Sequence, residues 1–275
     1  MRAAYVIPSF GLLLVVGIAL SFRGGPTDDG GRTSEDVPVA ERSTPAPAQR
    51  QAESPAAEPP PGLTCIQNAL GGTRAIAAVS SLWIVADTKP VATSGMRPIP
   101  GTREINVVFP DRYKNAHVGR PPGVTTGATL SSIVGFDGDT ILSVPRAPDA
   151  RSSARLRFMR EMLMLLPRAS AGVTLSQRVV QDEGQERLAI DASGPDDFQA
   201  TLLADSRTCV PVSLHYALTP QSPVRIDISD YRSFGGIRFP TELTISRRGV
   251  PTEQERISRV EVNTPDAARA FAPRG

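Results

Sequence analysis

Four dipeptides, Asp137-Gly138, Glu183-Gly184, Gly235-Gly236 and Arg248-Gly249, each separate two runs of alternating apolar and polar residues. Tight hairpin turns need positive φ, which glycine adopts without steric penalty. The alternation has a period near two, the signature of a strand with one wet face and one covered face. Val224, Ile226 and Ile228 alternate with Arg225, Asp227 and Ser229; Leu243 and Ile245 alternate with Glu242, Thr244 and Ser246. Twelve strands are predicted, over 81–87, 103–109, 112–118, 128–136, 140–144, 176–181, 186–191, 198–204, 210–218, 224–231, 237–246 and 253–262. Pro110-Asp111 marks a further turn. Helical segments do not alternate with the strands, which disfavours a parallel sheet. The expected class is mainly β (α+β): one large antiparallel meander with a few covering helices.

Two short helical pieces are expected within 65–80, broken at Gly71-Gly72, with Ile66, Leu70, Ala75, Ile76 and Val79 as their apolar positions. The principal helix is predicted over 148–166. Asp149 or Ser152 can cap its start, and Pro167 follows its end. Leu156, Met159, Leu163 and Leu166 share one side, and Phe158, Met162 and Leu165 widen it beyond an ordinary core stripe. Met159, Met162 and Met164 make that surface adaptable, because methionine is unbranched and soft. One reading is a core helix that closes the sheet. The other is a lid over an apolar cavity, lined by Phe158, Met159, Met162, Leu163 and Leu166.

Residues 3–22 are apolar and uncharged, between Arg2 and Arg23. About 20 such residues cross a bilayer as a helix. Two readings stand: a cleaved signal peptide, with Ala19 and Ser21 before the cut, or an uncleaved anchor. Either exports the rest of the chain, to the periplasmic or extracellular face of the cell envelope; on the second, 3–22 holds it in the inner membrane. Residues 23–62 are rich in Pro and Ala and nearly free of large apolar side chains, so they cannot offset their ordering entropy and read as a disordered tether. The folded part is then 63–275.

Chemistry is sparsely signalled. Thirty Lys and Arg against 28 Asp and Glu leave no basic excess for nucleic acid. The only histidines, His117 and His215, adjoin no nucleophile motif, and no metal, phosphate-loop or redox pattern is present. No catalytic residue, metal site or cofactor is expected. A hydrolase would need the fold to bring one of these histidines beside acids. Asp196-Asp197, after Gly194-Pro195, reads as a turn, and Trp83 and Tyr231 read as packing residues. Cys65 and Cys209 are the only cysteines. In an exported chain they pair often, and a bridge closing a loop of about 145 residues stabilises by at most roughly 4–5 kcal/mol. The alternative is two buried thiols; spacing leaves the choice open.

A set of segments occurs in a familiar succession. It begins with Ala69-Leu70-Gly71-Gly72, Ile76 and Ser80-Ser81-Leu82, then Arg103-Glu104-Ile105 and Phe109-Pro110-Asp111-Arg112-Tyr113. It continues with Ala200-Thr201-Leu202-Leu203, Asp205, Thr208 and Pro211-Val212-Ser213-Leu214, and ends with Ser229-Asp230-Tyr231, Gly236-Ile237-Arg238-Phe239-Pro240 and Thr244-Ile245. Across 63–271 this resembles the outer-membrane lipoprotein-sorting (LolA/LolB-like) superfamily, as a divergent member. The resemblance implies an unclosed β-barrel whose concave apolar face, partly plugged by helices, receives lipid acyl chains. The anchor and long tether depart from the soluble carrier, and the lipidated N-terminal Cys of the outer-membrane acceptor is missing. The expected function is non-enzymatic binding of a hydrophobic ligand, a lipid acyl chain or lipidated protein, at about 0.8 kcal/mol per buried CH₂. The rival is an interaction or sensor module with a self-filled core and an envelope protein as its partner.

Overall fold

The computed structural model describes residues 59–91, 100–119, 130–168, 170–219 and 221–272. The apolar segment 3–22, nearly all of the 23–62 stretch and the first two residues of the strand expected over 128–136 lie outside them. Everything described falls in one compact unit, Pro55–Gly275.

Twelve strands are present: β1 (Ser81–Pro90), β2 (Gly101–Val108), β3 (Arg112–Gly119), β4 (Leu130–Asp137), β5 (Thr140–Val144), β6 (Thr174–Asp182), β7 (Gln185–Gly194), β8 (Phe198–Asp205), β9 (Pro211–Ala217), β10 (Pro223–Phe234), β11 (Ile237–Arg247) and β12 (Val250–Val262). The helices are α1 (Pro61–Ala69), α2 (Thr73–Ala77), α3 (Ala150–Leu165) and α4 (Asp266–Arg269). The turn chemistry works as expected. Glu183 and Gly184 have φ of 50° and 76°, and Arg248 and Gly249 have 52° and 77°. Both central residues of each two-residue turn are left-handed, the conformation that matches strand twist in a hairpin. Asp196 and Asp197 form a similar turn, φ 56° and 57°.

The strands form one antiparallel sheet in the order β5-β4-β3-β2-β1-β12-β11-β10-β9-β8-β7-β6. The first strand therefore pairs with the last, in the middle of the sheet. The free edges, β5 and β6, are successive in the chain and are joined through α3. That helix touches β4 and β5 near one edge and β8 near the other. Eight strand spacings separate β4 from β8, about 38 Å in a flat sheet, yet one stretch of α3, about 10–12 Å wide, borders both: Arg155 and Phe158 lie with Phe136 and Ile141, and Ser153 and Leu156 with Ala200 and Thr201. The sheet must therefore curl around α3, and it remains unclosed: a half-barrel with a helix in its hollow.

The concave face carries the core. Ile84, Val107, Leu202, Leu214, Leu243 and Ile257 meet Ile66, Leu70 and Ile76 from α1 and α2 and Met162, Leu163, Leu165 and Leu166 from the α3 segment in one cluster. Burying each such side chain contributes about 1.5–3 kcal/mol. Phe158 anchors α3 to β3 and β4, its ring centroid 5.5 Å from those of Tyr113 and Phe136.

At the other end of the hollow α1 is tied down covalently. Cys65 and Cys209 are bridged, Cα–Cα 5.8 Å, so the two-thiol alternative is excluded. The Leu70 carbonyl accepts a 2.8 Å bond from Arg238 N on β11, and Arg238 Nη1 donates to the Ala69 carbonyl at 3.1 Å. Gly71, with φ of +127°, passes so close to the Gly236 carbonyl that a Cβ there would lie 2.6 Å from its oxygen. α1 begins at Pro61, a favoured first helical residue, just inside the stretch read as tether.

Local expectations for two positions are corrected. Neither Asp149 nor Ser152 caps α3: the Asp149 carboxylate accepts from Ser153 Oγ at 3.0 Å, and Ser152 Oγ donates to Asp196 at 3.1 Å. Trp83 is not in the core. Its neighbours in β1, Leu82 and Ile84, face the hollow, so Trp83 lies half-buried on the convex face, with the Arg259 guanidinium 4.2 Å from its ring centre.

Candidate functional site

The apolar stripe of α3 contains one acid. Glu161, only 4% exposed, projects toward the sheet among Phe158, Met162 and Leu165. Its carboxylate accepts from Tyr113 Oη at 2.8 Å, from Asn115 Nδ2 at 2.9 Å and from the Arg103 guanidinium. Arg103 Nη1 also donates to both oxygens of Glu255, at 2.6 and 2.8 Å. Register explains the meeting. Ala86 of β1 stands opposite both Arg103 of β2 and Ile257 of β12, and Ile105 stands opposite Asn115 of β3, so all these side chains share the concave face. Burial alone would pull the Arg103 pKa down, but the charges of Glu255 and Glu161 outweigh it, and the guanidinium is held in its charged form. Burial, reinforced by Glu161, keeps the Tyr113 hydroxyl protonated and donating. Uncompensated buried charge costs several kcal/mol; here each charged group has partners.

This network divides the hollow. On the α1 side lies closed apolar core. On the other side opens a mouth, a cavity of about 400 Å³. Ile226, half-buried, and Leu214, Leu243, Ile245 and Met164, all buried, form its apolar wall, and Arg103, Glu161 and Glu255 its base. Arg157 and Arg160 of α3, Arg247 of β11 and Glu253 of β12 stand around it. Arg160 lies 4.3 Å from the ring centre of Tyr216, a cation–π contact. Glu253 is pushed above the usual carboxylate range by burial and then by Glu255. An open groove of about 1350 Å³ adjoins the same helix face, with Leu156, Ala200, Tyr216 and Val224 among its apolar lining and Asp191, Thr201 and His215 among its polar lining.

The five lining residues expected from sequence are divided. Phe158 and Met159 border a different cavity, about 500 Å³, on the flank of α3 beside Phe136 and Ile141. Met162, Leu163 and Leu166, none more than 2% exposed, pack into the core. The helix residues that face the mouth are Arg157, Arg160, Glu161 and Met164. One signal for them was present in the sequence: an acid interrupting a broad apolar stripe, with Arg157 one helical turn before it and Arg160 beside it.

The histidines are held by hydroxyls. His117 Nε2 is 3.0 Å from Thr88 Oγ1, and burial together with Arg103 lowers its pKa, which favours the neutral ring. His215 Nε2 is 2.9 Å from Ser213 Oγ, but Ser213 is fully buried and out of a substrate's reach. Among the described residues no carboxylate is hydrogen-bonded to either imidazole, and no group of three His, Cys, Asp or Glu could hold a metal ion.

No protein-family model and no curated protein sequence matches the chain. Among solved structures it is similar to a LolA superfamily protein from Nitrosomonas europaea, with TM-score 0.48 and 9% identity over 78% of this chain and 96% of that one. It is also similar to a Vibrio parahaemolyticus domain provisionally described as an outer membrane lipoprotein-sorting protein, with TM-score 0.46 and 9% identity over 76% and 97% of the two chains. A third is the Mycobacterium tuberculosis lipoprotein LppX, with TM-score 0.27 and 15% identity over 75% and 98%.

Proposed function

We propose that this is a non-enzymatic protein of the cell envelope that takes the acyl chain of a lipid or lipidated protein into its half-barrel. The observation that carries the reading is the mouth: a cavity on the concave face that the chain's own helices leave unfilled, walled by Leu214, Ile226, Leu243, Ile245 and Met164. Its 400 Å³ falls within the roughly 300–1,000 Å³ of small-molecule sites. Each CH₂ buried there contributes about 0.8 kcal/mol. Phe158 and Met159 offer a second apolar contact from the flank, and Met162, Leu163 and Leu166 brace them from behind. The Cys65–Cys209 bridge suits an oxidising compartment, and on this reading residues 3–22 deliver the chain there or anchor it in the inner membrane. The interaction-module reading needs a core filled by the protein's own side chains, and the unfilled mouth favours acyl binding over it.

The test is acyl-probe photolabelling of the full-length exported chain in isolated membranes. Label competed by excess unlabelled amphiphile and mapped to peptides of β9, β10, β11 or α3 supports the proposal. Label confined to residues 3–22, or label no amphiphile competes away, overturns it.

A further inference from the structure

We propose that the mouth selects an anionic amphiphile, and that Arg157, Arg160 and Arg247 hold its acidic headgroup. The inference rests on the acyl-binding reading above and adds the charge and location of the head.

Four arginines and three glutamates face this one cavity. Arg103 is fully engaged, by Glu161 and by both oxygens of Glu255. Among the described residues, none of the other three guanidiniums is in ion-pair contact with a carboxylate. Glu253 is the only acid of the cavity outside the Arg103 network. Burial and Glu255 raise its pKa, which disfavours its charge.

The three cations converge from two elements. Arg157 and Arg160 are three residues apart on α3, adjacent on one helix face, and Arg247 ends β11 on the concave side. Arg160 is half-buried, with burial and then Arg157 lowering its pKa. Arg157 beside it is exposed; the two guanidiniums repel each other, and an anion held between them relieves that repulsion and the cost of burying Arg160. Planar guanidinium groups suit carboxylate and phosphate oxygens, which they bind through paired N–H donors. Ile245, the residue before Arg247 but one, stands in the apolar wall with Leu243 and Ile226. Head and tail contacts thus adjoin within one cavity, which fits an amphiphile better than a bare ion or a neutral oil.

The experiment compares photoreactive palmitic acid, photoreactive hexadecanol and inorganic phosphate on the full-length chain in membranes. The acid is expected to label the mouth peptides about tenfold more than the alcohol, in keeping with a charge-assisted contact, and to lose this advantage in high salt. The double variant R157Q/R247Q is expected to label equally with acid and alcohol, with thermal unfolding unchanged. Equal labelling by acid and alcohol in the parent chain overturns the headgroup assignment and leaves acyl binding standing. So does an unfolding-neutral double variant that keeps the preference; if that variant unfolds early, R157K/R247K, which keeps the charge, must keep the preference. Phosphate that displaces the acid at concentrations comparable with the probe assigns the arginines to a free anion and overturns the assignment. No labelling by either acyl probe overturns the function itself.

Discussion

Replacing Glu161 by Leu tests whether the buried network holds α3 in the hollow. Leu fits the surrounding Phe158, Met162 and Leu165, so packing alone would make the change mild. The polar ledger says otherwise. Arg103 keeps Glu255 but loses one of its two counter-charges, and Tyr113 Oη and Asn115 Nδ2 lose their 2.8 and 2.9 Å acceptor. Removing one partner of a buried ion pair costs about 3–5 kcal/mol, because the remaining charge is left undercompensated. A domain of this size loses about 2–4 °C in Tm per kcal/mol, which gives a fall of roughly 6–20 °C. Thermal unfolding of the oxidised protein, followed by circular dichroism at pH 7, reads it directly. Replacing the whole network, R103M/E161L/E255L, removes the stranded charge and is expected to recover most of the loss, since apolar substitution of a complete buried ion network is often neutral or stabilising. A single Leu variant within about 3 °C of the parent would refute the reasoning and show that water or a shifted side chain replaces the carboxylate at little cost.

The disulfide closes a separation of 144 residues, so Cys65→Ser is expected to lower stability by about 2–4 kcal/mol; dithiothreitol should do the same to the parent and nothing to the C65S/C209S double variant, and equal sensitivity of both would sink the idea. Glu253 titrates above the ordinary range in the fold because burial, then Glu255, disfavours its charge. The folded state therefore binds this proton more readily than the unfolded state, and the group's contribution to stability falls as pH rises from the unfolded value, about 4.3, through the raised folded one. Glu253→Gln should accordingly raise Tm at neutral pH and confer no advantage below about pH 4; an advantage that grows on acidification would contradict the assignment.

The strands were legible because hairpin chemistry is local. Glycine at 138, 184, 236 and 249 supplies the positive φ, and each flanking run alternates with period two, so every predicted strand has its counterpart. The bridge between Cys65 and Cys209 was a candidate, but whether those Cα atoms met depended on how α1 lies against the β8–β9 turn. What stayed hidden is non-local. Arg103, Glu161 and Glu255 lie on three elements far apart in sequence, and each alone reads as a surface charge. The apolar count along α3 pointed to Phe158 and Met162, and it passed over the informative residue, the acid between them. The mouth's arginines were hidden for a related reason: Arg247 looks like the polar end of a hairpin strand until β11 is set opposite Tyr216's neighbour Val224 in β10.

Of the ladders in the described sheet, every one except β1–β12 joins strands consecutive in the chain. β1 through β5 and β6 through β12 are thus two meanders that each zip up by short-range steps. The Leu82–Val262 seam between them spans most of the folded sequence. Contacts so distant in sequence carry the largest chain-entropy cost and slow folding most. The full arc from β4 round to β8 exists only when that seam joins the two meanders. A nascent chain lacks that arc until its last strand has emerged, so on the acyl-binding reading a guest loads only after synthesis is complete.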